Sequence, residues 1–267
     1  MAIAYSFDSA IDSHPNGPSS TTLQYFRTPY ADQVQGAFEP LSKANIDTAI
    51  VQIGDADLSA YRLVVVPADY LMDPESAKAL RAYVRNGGTV VMTSFSAKVD
   101  EHGLWFDTPL LGGLADVFGL KTNAFYNAST VQFQLDGEAA DSPTKGYENL
   151  EPITAMMLAN FENTAENSPA LTLNHFGKGD AMYFAAESRS AAMGPVLAYA
   201  ARLAGVHPGP KSHDDVYARV VDGRTFYVNT TGLEKSVPID GARIGLVSNW
   251  SYQDRIVLPP LAADLIP

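Results

Sequence analysis

The chain contains no cysteine. That absence excludes disulfides, thiolate metal sites and every cysteine nucleophile. Positive charge is scarce: 18 Lys and Arg stand against 30 Asp and Glu, a net charge of −12. No basic stripe offsets this balance, which argues against nucleic acid and against an anionic membrane surface as partners. No apolar run approaches the ~20 residues of a helical membrane span. The opening stretch MAIAYSFDSAID has no basic segment and carries an early Asp8, unlike a secretory signal. These absences together lead us to expect a cytoplasmic protein. The N-x-S/T triplets at Asn127, Asn229 and Asn249 are then chance occurrences. Internal repeats and low-complexity tracts are lacking as well.

What is present is ordinary globular material. The 267 residues are 46% hydrophobic and 18% charged, enough for one large or two modest domains with their own cores. Strand-like and helix-like segments alternate at first. AIAYSFD (2–8) opens as an apolar strand, and a polar loop follows (9–20). A helix-length segment runs from about Thr22 to Asn45, broken or bent near Pro29 and Pro40. IDTAIV (46–51) and YRLVVVPAD (61–69) read as strands, the latter apolar enough to be buried on both faces. Asp73 and Pro74 mark a helix start, Ala77, Leu80, Tyr83 and Val84 recur at helical spacing, and Asn86-Gly87 stops it. GTVVMTS (88–94) is a fourth strand, and TPLLGGLADVFGL (108–120) a further helix. Such alternation implies an α/β fold with a doubly wound, mainly parallel sheet and right-handed crossovers.

From about 121 to 187 the strand-like stretches STVQFQL, ALTLNHF and GDAMYFAAE are joined by polar segments, with a hairpin turn at Gly177-Lys178-Gly179. A last helix covers about 189–203. The Pro/Gly-rich stretch 206–213 reads as a linker between a domain at 1–205 and a small one at 214–267. The small domain has a strong hairpin signal at Asp222-Gly223, then short strands in KSVPID, ARIGLVS, RIVLPP and AADLI, which together predict an antiparallel β-sandwich.

Ligands of open parallel sheets bind beyond the carboxyl ends of the strands. Loops 8–20, 67–73 and 94–106 leave such ends. The last carries Ser94, Ser96, Lys98, Asp100, Glu101, His102 and Trp105, and is the candidate site. A serine-hydrolase reading of Ser94 or Ser96 with His102 lacks the glycines of a nucleophile elbow. A glutamine-amidotransferase needs a cysteine, so that chemistry is excluded although its fold is not. Asp100 and Glu101 are adjacent and diverge on most backbones, which suits a glycosidase pair poorly. His14, His102, His175, His207 and His213 show no metal-ligand spacing, and Gly177-Lys178-Gly179 lacks the frame of a phosphate cradle. No metal and no cofactor is expected. Trp105, Phe106, Trp250 and Tyr252 suit core or interface packing better than sugar stacking.

Taken as a set, AIAYSFD, ADLSAYRLVVVPADYLMD, LRAYVRNGGTVVMTSFSAKVDEHG, GLADVFGL and LTLNHFGKGDAMYFA resemble the middle, trimerisation domain of glycoside hydrolase family 42 β-galactosidases. The tail YARVVDGRTFYVNTT and RIVLPPLAADLI resembles that family's small C-terminal β-domain. The resemblance implies a fold of the flavodoxin or class I amidotransferase type. It implies self-association, with a trimer favoured, and a loop at 94–106 that borders a galactoside site built mostly by a (β/α)₈-barrel glycosidase domain or chain. The family's catalytic glutamates lie in that barrel, so no catalytic residue carries over. Where the family's loop reads close to T-x-R-[ST]-G-x-x-D-E, Phe95 and Ala97 replace the Arg and the Gly, while Ser96, Asp100 and Glu101 agree. A free-standing small hydrolase or a carbohydrate-binding protein using the same cleft is the alternative. Under the first reading the loop makes few core contacts, so Lys98→Ala and His102→Ala should leave stability nearly unchanged.

Overall fold

The computed structural model describes residues 1–14, 28–107, 111–164, 167–212 and 215–267. Two compact units are present. One comprises Met1–Phe38 and Ala49–Val206, the other Glu39–Thr48 and His207–Pro267.

The first unit is mixed α/β. Its main sheet contains β1 (Ala2–Ala4), β2 (Ala49–Val51), β3 (Leu63–Val66), β4 (Thr89–Thr93), β9 (Met156–Asn160), β10 (Pro169–Phe176) and β11 (Gly179–Phe184). The strand order is β2-β1-β3-β4-β11-β10-β9. Every pairing from β2 to β11 is parallel, while β10 and β9 add antiparallel at one edge. Every residue of the central strands β3 (LVVV) and β4 (TVVMT) is buried, the pattern of parallel strands covered on both faces. The β10–β11 hairpin turns at Gly177-Lys178. Gly179 is required beside it, because a Cβ there would stand 2.2 Å from the Gly88 carbonyl oxygen. Two antiparallel ribbons accompany the sheet: β5 (Leu120–Asn127) with β8 (Gly146–Pro152), and β6 (Thr130–Leu135) with β7 (Glu138–Pro143).

Five α-helices occur among the described residues: α1 (Phe7–Asp12), α2 (Tyr30–Lys43), α3 (Pro74–Arg85), α4 (Ala115–Phe118) and α5 (Ser190–Leu203). Helix α3 starts as the sequence predicts, with Asp73 accepting from the Ser76 N–H and Pro74 at the first turn. Three expectations need correction. The first strand ends at Ala4, because the Ser6 hydroxyl accepts from the Ser9 N–H and starts α1. The segment 22–45 is helical only as Tyr30–Lys43, with 15–27 outside the described residues. The segment 108–120 yields only α4, since Leu111, Gly112 and Gly113 all have positive φ, and 108–110 lie outside the described residues. No helix among the described residues is long and apolar enough to cross a membrane.

The second unit holds small antiparallel sheets. β12 (Val216–Val221), β13 (Arg224–Asn229) and β18 (Ala263–Ile266) form one. β14 (Lys235–Pro238) pairs with β17 (Arg255–Leu258), and β15 (Arg243–Ile244) with β16 (Ser251–Tyr252). Asp222 and Gly223 both have positive φ, as a two-residue type I′ hairpin demands. Val216, Ala218, Tyr227, Val237, Tyr252, Ile256, Leu258 and Ile266 form the core. Asp264 is buried, and its carboxylate accepts from the Ser248 and Tyr252 hydroxyls at 2.5 and 2.8 Å. Asn45 belongs here: its amide donates to the Pro210 carbonyl and Ser212 Oγ, and its oxygen accepts from the Ala218 N–H.

Candidate functional site

The parallel strands β1, β3, β4 and β11 end at one edge of the main sheet, and the loops that leave them meet there. The loop after β3 lies along the loop after β4. Ala97 N–H donates to Asp69 O at 2.8 Å, Lys98 N–H to Tyr70 O at 2.9 Å, and Met72 N–H to Val99 O at 2.9 Å. Helix α1 joins them: Ser9 Oγ donates to Asp69 Oδ1 at 2.6 Å and accepts from the Leu71 N–H. The edge expected to be an open cleft is therefore covered by the chain's own loops. A groove of about 690 Å³ opens instead near the amino ends of β3 and β4, among Asp57, Tyr61, Arg62, Tyr83, Lys178 and Asp180.

The 94–106 segment is a tight hairpin. Val99 bridges Trp105, Phe106 N–H donates to Lys98 O, and Asp100 N–H to Leu104 O. Asp100 Oδ1 closes the tip by accepting from the His102 and Leu104 N–H groups, both at 2.9 Å. Two non-glycine residues, Phe95 (φ 64°) and Ala97 (φ 54°), sit in the left-handed region, at a cost of about 1–2 kcal/mol each. The Ala97 backbone is the conformation glycine adopts freely.

The candidate residues divide into two groups. Ser94, Ser96 and Lys98 are buried, and Asp100 is half-buried. Glu101, His102 and Trp105 are exposed at the tip, with Trp105 edge-on to Tyr70 at 6.0 Å. Ser96 Oγ accepts from the Asp69 N–H and donates to Val66 O, while Ser94 Oγ has no hydrogen-bond partner. His102 is 74% exposed and 3.9 Å from Glu101 Oε1. The structure thus does not bring either serine to the histidine. The bend after β4 presents Phe95, which stacks on Phe125 at 4.3 Å, and no nucleophile.

Lys98 overturns the expectation that the loop makes few core contacts. Its ammonium is completely buried, 3.0 Å from Glu148 Oε1 and 3.3 Å from the Tyr183 hydroxyl. Tyr183 in turn donates to Glu148 Oε2 at 2.5 Å, and Phe95 N–H donates to Glu148 Oε1 at 3.0 Å. The rings of Phe125 and Tyr183 each lie 5.7 Å from the ammonium. Burial pulls the Lys98 ammonium below its ordinary value, and the Glu148 charge opposes that only in part. Burial, with Glu148 beside it, pushes the Tyr183 phenol well up.

Sequence reasoning missed Glu148 and Tyr183. It also missed Glu187, a further buried carboxylate at this edge. Glu187 accepts from the N–H and hydroxyl of Thr28 and from the Lys145 N–H, with Arg189 Nε 3.7 Å away. A signal for Glu148 existed: alternation along β8 buries Gly146, Glu148 and Leu150 together, and an inward carboxylate calls for a buried cation. Among the described residues, no group of three or more His, Asp or Glu is placed to hold a metal ion.

The comparisons with known proteins agree on a family. A model described as the β-galactosidase trimerisation domain matches residues 1–207. A β-galactosidase of Clostridium perfringens is 31% identical over 180 residues, covering 63% of this chain and 25% of that protein. One from Planococcus sp. is 28% identical over 231 residues, covering 80% and 33%. The chain therefore spans a quarter to a third of the length of these relatives. Among solved structures, a β-galactosidase from Bacillus circulans sp. alkalophilus matches with a TM-score of 0.85 at 22% identity, covering 99% of this chain and 40% of that one. A β-galactosidase from the haloarchaeon Halorubrum lacusprofundi gives 0.84 at 20% identity, covering 99% and 39%. At these identities the likeness is one of fold. With the family model matched across residues 1–207, the chain belongs to the β-galactosidase trimerisation domain family of glycoside hydrolase family 42.

Proposed function

We propose that this chain is a non-catalytic oligomerisation module of a β-galactosidase-like glycoside hydrolase, working in the cytoplasm as a homotrimer. The observation that carries the reading is the match of residues 1–207 to a trimerisation domain. The chemistry of the carboxyl edge supports it. There the buried hydroxyls and carboxylates are mostly bonded within the chain, while Phe7, Ile11, Leu104 and Trp105 stay exposed. Enrichment of aromatics is what interface centres show. In this reading residues 1–205 are an amidotransferase-like domain and 214–267 a small β-sandwich. The tip residues Glu101, His102 and Trp105 border a galactoside site completed by a barrel domain or chain, and no residue of this chain is catalytic.

Sedimentation at about 100 μM, well above the micromolar range of modest interfaces, should give a trimer. Leu104→Glu with Trp105→Glu should shift it to monomer. A strictly monomeric wild type would sink the oligomer reading. The chain alone should not turn over a chromogenic β-galactoside. Turnover abolished by Asp100→Asn with Glu101→Gln would sink the non-catalytic one.

A further inference from the structure

The buried ion pair serves no chemistry described above, and it is sealed from any substrate. It joins three elements that are distant in sequence: the 94–106 hairpin through Lys98, β8 through Glu148, and β11 through Tyr183. Each polar atom has partners. Glu148 Oε1 takes Lys98 Nζ and the Phe95 N–H, and Oε2 takes the Tyr183 hydroxyl. A buried pair of this kind adds little net stability over well-packed apolar groups, but it punishes every arrangement that leaves one charge alone. Its strength is therefore in selecting one geometry.

The hairpin needs such selection. Its turn contains two strained residues, Phe95 and Ala97, and its tip is fastened mainly by its own hydrogen bonds. Lys98 is the residue at which the hairpin enters the core. Its carbonyl accepts from the Phe106 N–H, and its neighbour Val99 bridges Trp105. Any movement of Lys98 moves the tip.

We propose that Lys98, Glu148 and Tyr183 are positioning residues, a charged anchor that holds the 94–106 hairpin in the single shape that presents Leu104 and Trp105 for self-assembly. The part concerning assembly rests on the oligomerisation reading above; the part concerning hairpin shape does not.

The test compares wild type with Lys98→Met/Glu148→Gln, which removes both charges while keeping an unbranched side chain one atom shorter at 98 and an acceptor at 148. Amide hydrogen exchange is followed at Leu104 and Phe106 in the hairpin, and at Val65 and Val91 in the central strands. The hairpin amides should exchange at least about tenfold faster while the strand amides stay unchanged, the signature of local rather than global opening. Self-association, followed by sedimentation, should weaken in parallel. Exchange that rises equally at all four amides, or at none, overturns the proposal, because the pair is then ordinary core. Unchanged association despite a freed hairpin also overturns it. If the double variant does not fold, Tyr183→Phe takes its place: faster exchange confined to Leu104 and Phe106 supports the anchor, and its absence defeats it. If wild type proves monomeric, the oligomerisation reading fails by itself, and the exchange contrast alone decides the anchor.

Discussion

Lys98 and His102 are four residues apart on one hairpin and should respond to truncation in opposite ways. Lys98→Ala leaves the Glu148 carboxylate buried without its cation, a loss of about 3–5 kcal/mol. His102→Ala removes an exposed imidazole and should stay within about 0.5 kcal/mol. Val65→Ala, in a fully buried strand, should fall near 1–3 kcal/mol from lost transfer energy and the cavity left behind. Urea titrations of the three variants check the order, which places Lys98 at or above the core valine. The exposed tip was legible in the sequence, since Asp100, Glu101 and His102 run into Gly103 in a polar turn. The burial of Lys98 was not, because its partners lie 50 and 85 residues away on β8 and β11. Local pattern reads a lysine among polar residues as solvated; Glu148 is brought beneath it where β8 meets the end of β11, through the Glu148 N–H to Ala185 O and the Tyr147–Ala186 bridge.

Elements were legible where the chain carries its own stop and start chemistry. Helix α3 has an Asp cap and a first-turn Pro, and the β12–β13 hairpin has Asp-Gly at the two positions needing positive φ. The β6–β7 hairpin turns at Asp136-Gly137, both at positive φ, a local signal that sequence reasoning missed, while β5 and β8 pair across that hairpin and no local pattern joins them. The α3 cap gives a pH-dependent prediction. Burial pushes the Asp73 carboxyl up, but the hydrogen bonds from the Ser76 hydroxyl and N–H outweigh it and leave the group below its ordinary value. A carboxylate so depressed contributes stability above its unfolded value of about 3.9, and that contribution is lost as pH falls through the folded value. Asp73→Ala should therefore cost about 1 kcal/mol at pH 7, and less at pH 3, where wild type has lost part of the cap. Equal penalties at both pH values would contradict this.

At the scale of the whole molecule, charge opposes assembly. Three copies at −12 each bring together −36. Repulsion between exposed charges is screened over about 10 Å at 0.1 M salt and about 30 Å at 0.01 M. Self-association should therefore strengthen as salt rises from 0.01 to 0.3 M, read by sedimentation; weakening would mean that ion pairs rather than Leu104 and Trp105 dominate the contact. The α/β class and the separate β-rich tail were legible at this scale from alternation and turn signals. The inclusion of Glu39–Thr48 in the second unit was not, because no local pattern announces a partner so far along the chain. That feature sets a timetable. Asn45 and Ala218 are 173 residues apart. At ~5–20 residues per second, a ribosome makes the second roughly 10–35 s after the first. Throughout that interval the Asn45 amide waits for Pro210, Ser212 and Ala218. The nascent chain thus completes its second unit only after His207–Pro267 has been made, and a ribosome paused before residue 210 holds a segment that any chaperone reading unfinished chains would find available.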